Sequence, residues 1–199
     1  MENPPMEKTK LTKRQEQAIQ TKNKLYSVML ELMKEKQFVN ISVEEISKKA
    51  GVSVGTFYHY FKSKEDIQLK LFEQMERKLF LSLQDLEEKK DTREEILSFF
   101  TQLAKFNSQL DLHVNHFTYM KMEGLTQPPS PIRNQLQTII EKGQKKKELV
   151  NTMNAEEMTN YLFIMAIGII FDWCIHNGDY SVESVMHNYM NQMLNSIVQ

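Results

Sequence analysis

The sequence predicts an all-α protein: an N-terminal three-helix module and then a larger helical body, about nine helices in all. Three observations predict it. Apolar residues recur at i, i+3, i+4, i+7 along most of the chain, as in Leu25, Val28, Met29 and Leu32. Serine, threonine or asparagine with glutamate three residues on, a helix-start signal, precedes several of these stripes. No stretch alternates with the period of a strand, and no segment repeats.

Composition sets the class. At 199 residues the chain is long enough to bury a substantial core. Hydrophobic content of 41% with 26% charged residues is that of an ordinary soluble protein. The single cysteine, Cys174, forms no internal disulfide and fits a reducing cytoplasm. The longest apolar run, Tyr161 to Phe171, is eleven residues, short for a bilayer span, so a buried helix and no membrane association are expected. No apolar leader with a cleavage site is visible, so a cytoplasmic location is expected. Charge is uneven. Up to Lys64 there are 12 lysines and arginines against 7 acids, and beyond it 13 against 19. A basic first third suits contact with nucleic acid.

In order, residues 1–12 are polar with Pro4 and Pro5, and read as a flexible arm. A first helix runs from Arg14 to Lys36 and braces the two short helices after it, with Phe38 as a core plug. Ser42 and Glu45 form a capping box, with Ile41 and Ile46 spaced as a hydrophobic staple, and start a helix at Val43 that buries Val43, Ile46 and Ala50. Gly51 supplies a sharp turn. Ser53 caps a short helix, Val54 to Tyr60, with Gly55, Thr56, Tyr58 and His59 facing outward. Ser63 caps a long helix carrying Ile67, Leu71, Met75, Leu79, Leu83 and Leu86, which ends at the charged run 87–91.

Thr92 and Glu95 read as another capping box, opening a helix with Ile96, Leu97, Phe99, Phe100, Leu103 and Phe106. Residues 110–123 read as a helix rich in aromatics and methionines, and 124–131 as a loop whose Pro131 starts the next helix. That helix, 132–146, turns Ile132, Leu136, Ile139 and Ile140 inward and ends in a solvated Lys145–Glu148 cluster. Asn154 with Glu157 caps a helix to about His176, stopped by Asn177-Gly178. Val182, Val185, Met186, Tyr189, Met190, Met193, Leu194 and Ile197 make the last and cleanest stripe.

Two short helices joined by a glycine turn describe a helix-turn-helix, whose second helix enters the major groove. That helix carries small, hydroxyl and aromatic groups where a core helix would carry leucine or isoleucine. Gly55 permits close backbone approach, Thr56, Tyr58 and His59 offer donors, and Lys62 and Lys64 add cationic reach to phosphates. The domains expected are an arm at 1–12, a DNA-binding module at 13–62 and a body at 63–199.

The run AGVSVGTFYHYFKSKEDI resembles the signature of the tetracycline-repressor-like (TetR) regulators, roughly aGvs.gtlY.hFksKe.L. The match covers the first third of the chain. The resemblance implies a homodimeric, sequence-specific regulator, expected to be a repressor on a palindromic operator, released by a small-molecule effector and acting without a cofactor. It implies that Ser42, Ser53, Tyr58, Tyr60 and Lys64 hold phosphates while Val54, Gly55, Thr56 and His59 face bases. Val54 stands where relatives often have lysine or arginine, so a base-reading cation is missing. The fourth helix, Ser63 to Leu86, would tilt on effector binding and reset the reading heads.

In the family the last two helices form a four-helix bundle across a two-fold axis, which assigns Ile170, Val182, Val185, Met186, Tyr189, Met190, Met193 and Leu194 to a dimer interface. The resemblance also places a largely apolar effector among Phe100, Leu103, His116, Phe117, Met120, Phe163, Met165, Ile169 and Trp173, with Asn107, His116, Tyr119 and Asp172 as polar contacts. The same side chains would serve equally as ordinary core. Two alternatives stay open. One is a TetR-like DNA binder without effector, nucleoid-associated or partner-recruiting. The other is a metal-responsive regulator using His113 and His116 with Cys174 and His176. No phosphate loop, G-x-S-x-G or H-E-x-x-H motif points to an enzyme.

Overall fold

The fold is that of a computed structural model. It describes residues 12–86, 89, 91–110, 112 and 130–198, with the backbone alone at 72. Apart from Thr12, Leu110 and Leu112, the expected arm and the expected helix over 110–123 lie outside the described residues, as does nearly all of the 124–131 loop. Among the described residues there are eight α-helices: α1 Lys13–Glu35, α2 Val43–Ala50, α3 Val54–Tyr60, α4 Lys64–Gln84, α5 Thr92–Ser108, α6 Pro131–Lys145, α7 Ala155–Ile175 and α8 Val182–Leu194. Contacts divide the chain into two compact units, meeting at Leu71 and Phe72 within α4.

The first unit packs α1 to α3 and the start of α4 around Leu25, Met29, Leu32, Ile46, Phe57 and Ile67, all essentially sealed from solvent. Phe38, in a 3-10 turn at Phe38–Asn40, plugs this core. Thr12 and Gln15 form a reciprocal capping box at the head of α1. At α2 only half of the expected box forms. Ser42 Oγ accepts from the Glu45 N–H at 3.2 Å, but the Glu45 carboxylate turns to Lys36 Nζ at 2.6 Å. A full cation is a stronger partner than a backbone amide, and it holds the Glu45 carboxyl below its usual range. Val43, expected to be buried, is only half-buried; the buried residues of α2 are Ile46, Ser47 and Ala50.

Ser47 is an anomaly. It is 1% exposed and its Oγ has no hydrogen-bond partner. A buried hydroxyl without a partner is destabilising, and alanine is the better helix former. Ser47→Ala is therefore expected to stabilise the protein by about 1 kcal/mol. The check is a higher urea midpoint at unchanged m-value.

The second unit has one core. Leu79 and Leu83 of α4 join Ile96, Phe99, Phe100 and Leu103 of α5, Leu136 and Ile140 of α6, and the inner faces of α7 and α8. Helix α8 packs chiefly on α5, and α6 on α7 and α5. The start of α5 corrects the expected capping box. Asp91, not Thr92, is the cap, accepting from the Glu94 N–H at 2.8 Å. Thr92 is instead buried, and its N–H and Oγ1 both donate to Glu148 Oε2, at 3.0 and 2.5 Å. Glu148 thus belongs to the α5 start, where the sequence suggested a solvated end.

Gly143 of α6 makes this possible. A Cβ there would lie 2.5 Å from Thr92 Cγ2 and 3.0 Å from Leu149 Cδ1. Beyond it, Lys147 takes a left-handed φ of 62°, and Val150 N–H donates to Ile197 O at 2.9 Å, tying the C-terminal segment down. The Asn154–Glu157 capping box of α7 forms in both directions, at 2.9 and 3.0 Å.

Helix α7 is, by length and composition, apolar enough to cross a membrane, which the eleven-residue run understated. Half of that apolar window is buried inside the protein. The excess hydropathy comes from a second face: Tyr161, Ile164, Met165 and Ile175 are exposed.

Candidate nucleic-acid interface

Helix α3 is seated by aromatics. Phe57 and Phe61 are buried, with ring centroids 5.7 Å apart, and Tyr26 of α1 meets Phe61 edge-on at 5.2 Å. Burying three rings fixes the roll of this seven-residue helix, and with it the direction of the remaining side chains. The α2–α3 turn closes as a Schellman motif: Gly51 has φ 64° and ψ 35°, and Val52 N–H donates to Ser47 O at 3.0 Å. Ser53 then caps α3, accepting from Thr56 N–H at 3.0 Å.

This geometry turns Gly55, Tyr58 and His59 to solvent, with Tyr58 54% exposed. Val54, Thr56 and Tyr60 are half-buried at the margins. Tyr58 leans edge-on against Phe57 at 5.5 Å, and His59 against Tyr60 at 5.0 Å, which limits both to few orientations. Ser53 Oγ and Thr56 Oγ1 are 2.8 Å apart. One hydroxyl proton is used between them, so the pair offers one outward donor where the sequence suggested two.

The cations divide into two sets. Lys36 is paired with Glu45, and Lys49 with Glu35 at 2.7 Å and Glu31 at 3.5 Å. Those acids raise the Lys49 pKa. Lys24, Lys48 and Lys62 are exposed. The Lys24 ammonium lies 3.6 Å from where a Gly51 Cβ would stand, beside the α2–α3 turn. Lys24 and Lys48 were missed in the sequence because no motif marks them; only the fold brings Lys24 to the turn. Lys64, expected to hold phosphate, is engaged within the protein in the absence of DNA. Its Nζ donates to three carbonyls, Phe38 O and Val39 O at 3.1 Å and Ile41 O at 2.9 Å. Ser42 is exposed, with its oxygen engaged as the α2 cap.

Residues 25–71 match the family model for bacterial regulatory proteins of the tetR family. Residues 25–71 therefore carry the N-terminal module of that family. The matched module is that of transcriptional regulators. The chain is 23% identical over 185 residues to the fatty acid metabolism regulator protein of Bacillus subtilis, spanning 84% of this chain and 91% of that one. Among solved structures, its fold matches the transcriptional regulator FadR from Bacillus subtilis in complex with stearoyl-CoA, with TM-score 0.73, 21% identity and coverage of 86% and 96%. It also matches SmeT, the repressor of the Stenotrophomonas maltophilia multidrug efflux pump SmeDEF, with TM-score 0.76, 10% identity and coverage of 89% and 90%.

In the body of the chain, the residues expected around an effector separate. Phe100, Leu103, Phe163, Ile169 and Trp173 are buried together in the core, with Phe100 and Phe163 rings 5.7 Å apart. Asn107 is also buried, donating to Leu103 O at 2.7 Å. Met165 is not with them: at i+2 from Phe163 it falls on the opposite face of α7, exposed. Asp172 is exposed and accepts from Tyr180 Oη at 2.8 Å. His116, Phe117, Tyr119 and Met120 lie outside the described residues, as does His113.

Cys174 is buried, which pushes its thiol up to about 11, and His176 bonds the Asp172 carbonyl. Among the described residues no cluster of three potential metal ligands occurs. Among the described residues, a groove of about 690 Å³ opens between α4, α5 and α6. Phe80, Leu83, Phe99 and Ile139 line it with Lys89 and Lys142, and the buried Gln135 Oε1 has no partner.

The assigned dimer stripe also divides. Ile170, Val182, Met186, Met190 and Leu194 are buried in the protomer's own core, because the i, i+4 row of α8 packs on α5. Val185 and Met193 are half-buried, and Tyr189 is exposed. Among the described residues, α7 carries four exposed large apolar side chains, Tyr161, Ile164, Met165 and Ile175, on the face of Gly168, which has nothing within 4 Å of its Cβ position.

His59→Ala is expected to change preference at one base pair per half-site, by about 1–3 kcal/mol. Comparing enriched sequences for the two proteins checks it; identical base preferences would remove His59 from the reading set.

Proposed function

We propose that the protein is a dimeric repressor that binds a palindromic operator in the cytoplasm and leaves it when an amphipathic, largely apolar small molecule enters the body. The observation that carries this reading is α3 itself, which faces Gly55, Tyr58 and His59 outward from a helix-turn-helix locked by Phe57 and Phe61. One such helix reads few bases, and a second copy related by a two-fold axis doubles the contact. The exposed strip Tyr161, Ile164, Met165 and Ile175, with Gly168 allowing close approach, is where the second copy sits.

The effector class proposed is a long-chain acyl compound with an anionic head. Support comes from the α4–α5–α6 groove, whose volume suits such a ligand and whose apolar floor is edged by Lys89 and Lys142, against one acid, Glu95. A second support is the relative that acts in fatty acid metabolism and the FadR neighbour that holds stearoyl-CoA. Helix α4 runs without a break from Lys64 to Gln84, contributing Leu83 to this groove. Occupancy acts by favouring one placement of α4, and it shifts DNA affinity only by its differential affinity for two states.

The test is selection of bound DNA from a random pool at two salt concentrations, followed by displacement with stearoyl-CoA. The expected result is a palindrome with half-sites about one DNA turn apart, released by the acyl ligand. Weak, strongly salt-dependent binding without a consensus would refute the specific regulator. A palindrome indifferent to acyl compounds would refute the effector class alone.

A further inference from the structure

We propose that the acyl ligand carries a phosphorylated nucleotide head, as a coenzyme A thioester does, and that this head lies in a second groove on the outer side of α5; the proposal rests on the acyl-effector reading above. The second groove, of about 500 Å³, runs between α5, α8 and the segment after α4. It joins the apolar groove along a shared edge, since Leu86, Lys89 and Ser98 line both. Past that edge the lining changes in kind. Thr101 and Lys105 of α5 and His187 of α8 face it, against one acid, Glu94, among the described residues.

Helical register sets these groups in a row. Ser98, Thr101 and Lys105 fall at i, i+3 and i+7 on one face of α5, and the first and last are roughly 10 Å apart along the helix. A chain seated in the apolar groove and leaving it at Ser98 meets a hydroxyl and then an ammonium. Lys89 is half-buried at the junction and Lys105 exposed at the far end. Among the described residues neither forms a salt bridge. A lone carboxylate engages one end of such a row, whereas a head with several phosphates spans it. Lysine suits that partner, binding phosphate as a point charge.

The walls are fixed at both ends. Arg93 Nη2 donates to Asn191 Oδ1 at 2.8 Å and Asn195 Oδ1 at 2.6 Å, and Ser108 Oγ donates to Glu183 Oε1 at 2.6 Å. His187 stands on the turn of α8 between these two clasps. The spacing of α5 and α8 is therefore set before any ligand arrives, as in most small-molecule sites. The second clasp also engages Glu183, the nearest α8 acid, which does not line the groove.

Two measurements on the full chain test this. The first titrates stearoyl-CoA, stearate and stearoyl-N-acetylcysteamine, a thioester without phosphate, into the unaltered protein and into Lys105→Glu by calorimetry. Lys105 is exposed and lies outside the apolar groove, so the change leaves that groove intact. Stearoyl-CoA is expected to bind the unaltered protein at least tenfold more tightly than the phosphate-free thioester. Lys105→Glu is expected to lose that advantage while stearate binding stays unchanged. The second acylates lysines of the unaltered protein with a succinimidyl ester and counts them by mass spectrometry. Lys105 is expected to be protected by stearoyl-CoA and not by stearate.

Equal affinity for the two thioesters, or an equal loss of all three ligands in Lys105→Glu, would overturn the phosphorylated head and leave the acyl reading standing. Tight binding of stearoyl-CoA with Lys105 unprotected would overturn the second groove. If none of the three ligands bound the unaltered protein, the acyl reading would fail and this proposal with it.

Discussion

Ile164→Lys is expected to turn a dimer into a monomer and to lower operator affinity by on the order of a hundredfold, the loss typical when two linked contacts become one. Ile164 is 65% exposed in the protomer, the most exposed apolar side chain of α7. A lysine there stays hydrated in the single subunit, so folding stability should move by no more than about 0.5 kcal/mol. Across a two-fold axis it would bury a charge beside its own copy, which costs far more than the apolar contact it replaces. Sedimentation equilibrium and operator titration check the two halves. An Ile164→Lys protein that remains dimeric would move the interface to another surface, with the Tyr189 face of α8 the next to test.

The second large effect is on stability. Gly143→Ala should destabilise the body by about 2–3 kcal/mol, since overpacking a tight contact costs this much. The added Cβ would lie 2.5 Å from Thr92 Cγ2 and 2.8 Å from Thr92 Oγ1. Thr92 cannot step aside, because it is buried and its hydroxyl and N–H both hold Glu148. For a chain of this size the melting temperature should drop by roughly 5–10 °C. The same contact sets a pH dependence. Hydrogen bonds from Thr92 hold the Glu148 carboxyl below its ordinary value of 4.5. A depressed carboxyl stabilises the fold above its unfolded pKa, and that contribution is lost as pH falls through the folded value. Glu148→Gln should flatten the acid limb of the stability profile, measured by urea unfolding between pH 6 and about pH 3.

What was legible in the sequence was local. The turn at Gly51, the cap at Ser53, the Asn154–Glu157 box and the inward Phe57 are decided by residues within one turn of each other, and spacing alone reveals them. What was not legible depends on a distant partner. Glu45 prefers Lys36 to its own helix end, Thr92 answers to Glu148 across 56 positions, and Lys64 finds carbonyls 23 to 26 residues back. The apolar stripes misled for a related reason. Periodicity says that a face is buried but not by what: Val182, Met186, Met190 and Leu194 of α8, given to a partner, line the protomer's own core, while Tyr161, Ile164 and Ile175 of α7, not among the residues given to the partner, are exposed. Met165 is the sharpest case, two residues from Phe163 and on the other side of the helix.

The reading helix, VGTFYHY, holds neither lysine nor arginine. On the proposed reading, its contribution to the choice between sites would be made by hydroxyl, imidazole and backbone groups, and ion release would come from lysines outside the helix that touch every sequence alike. Raising ionic strength weakens all complexes in parallel, by the exponent those lysines set. The ranking among sites should therefore persist across a wide range of salt. A cell whose cytosolic potassium swings with osmotic stress would change how much of this protein is bound, but not where.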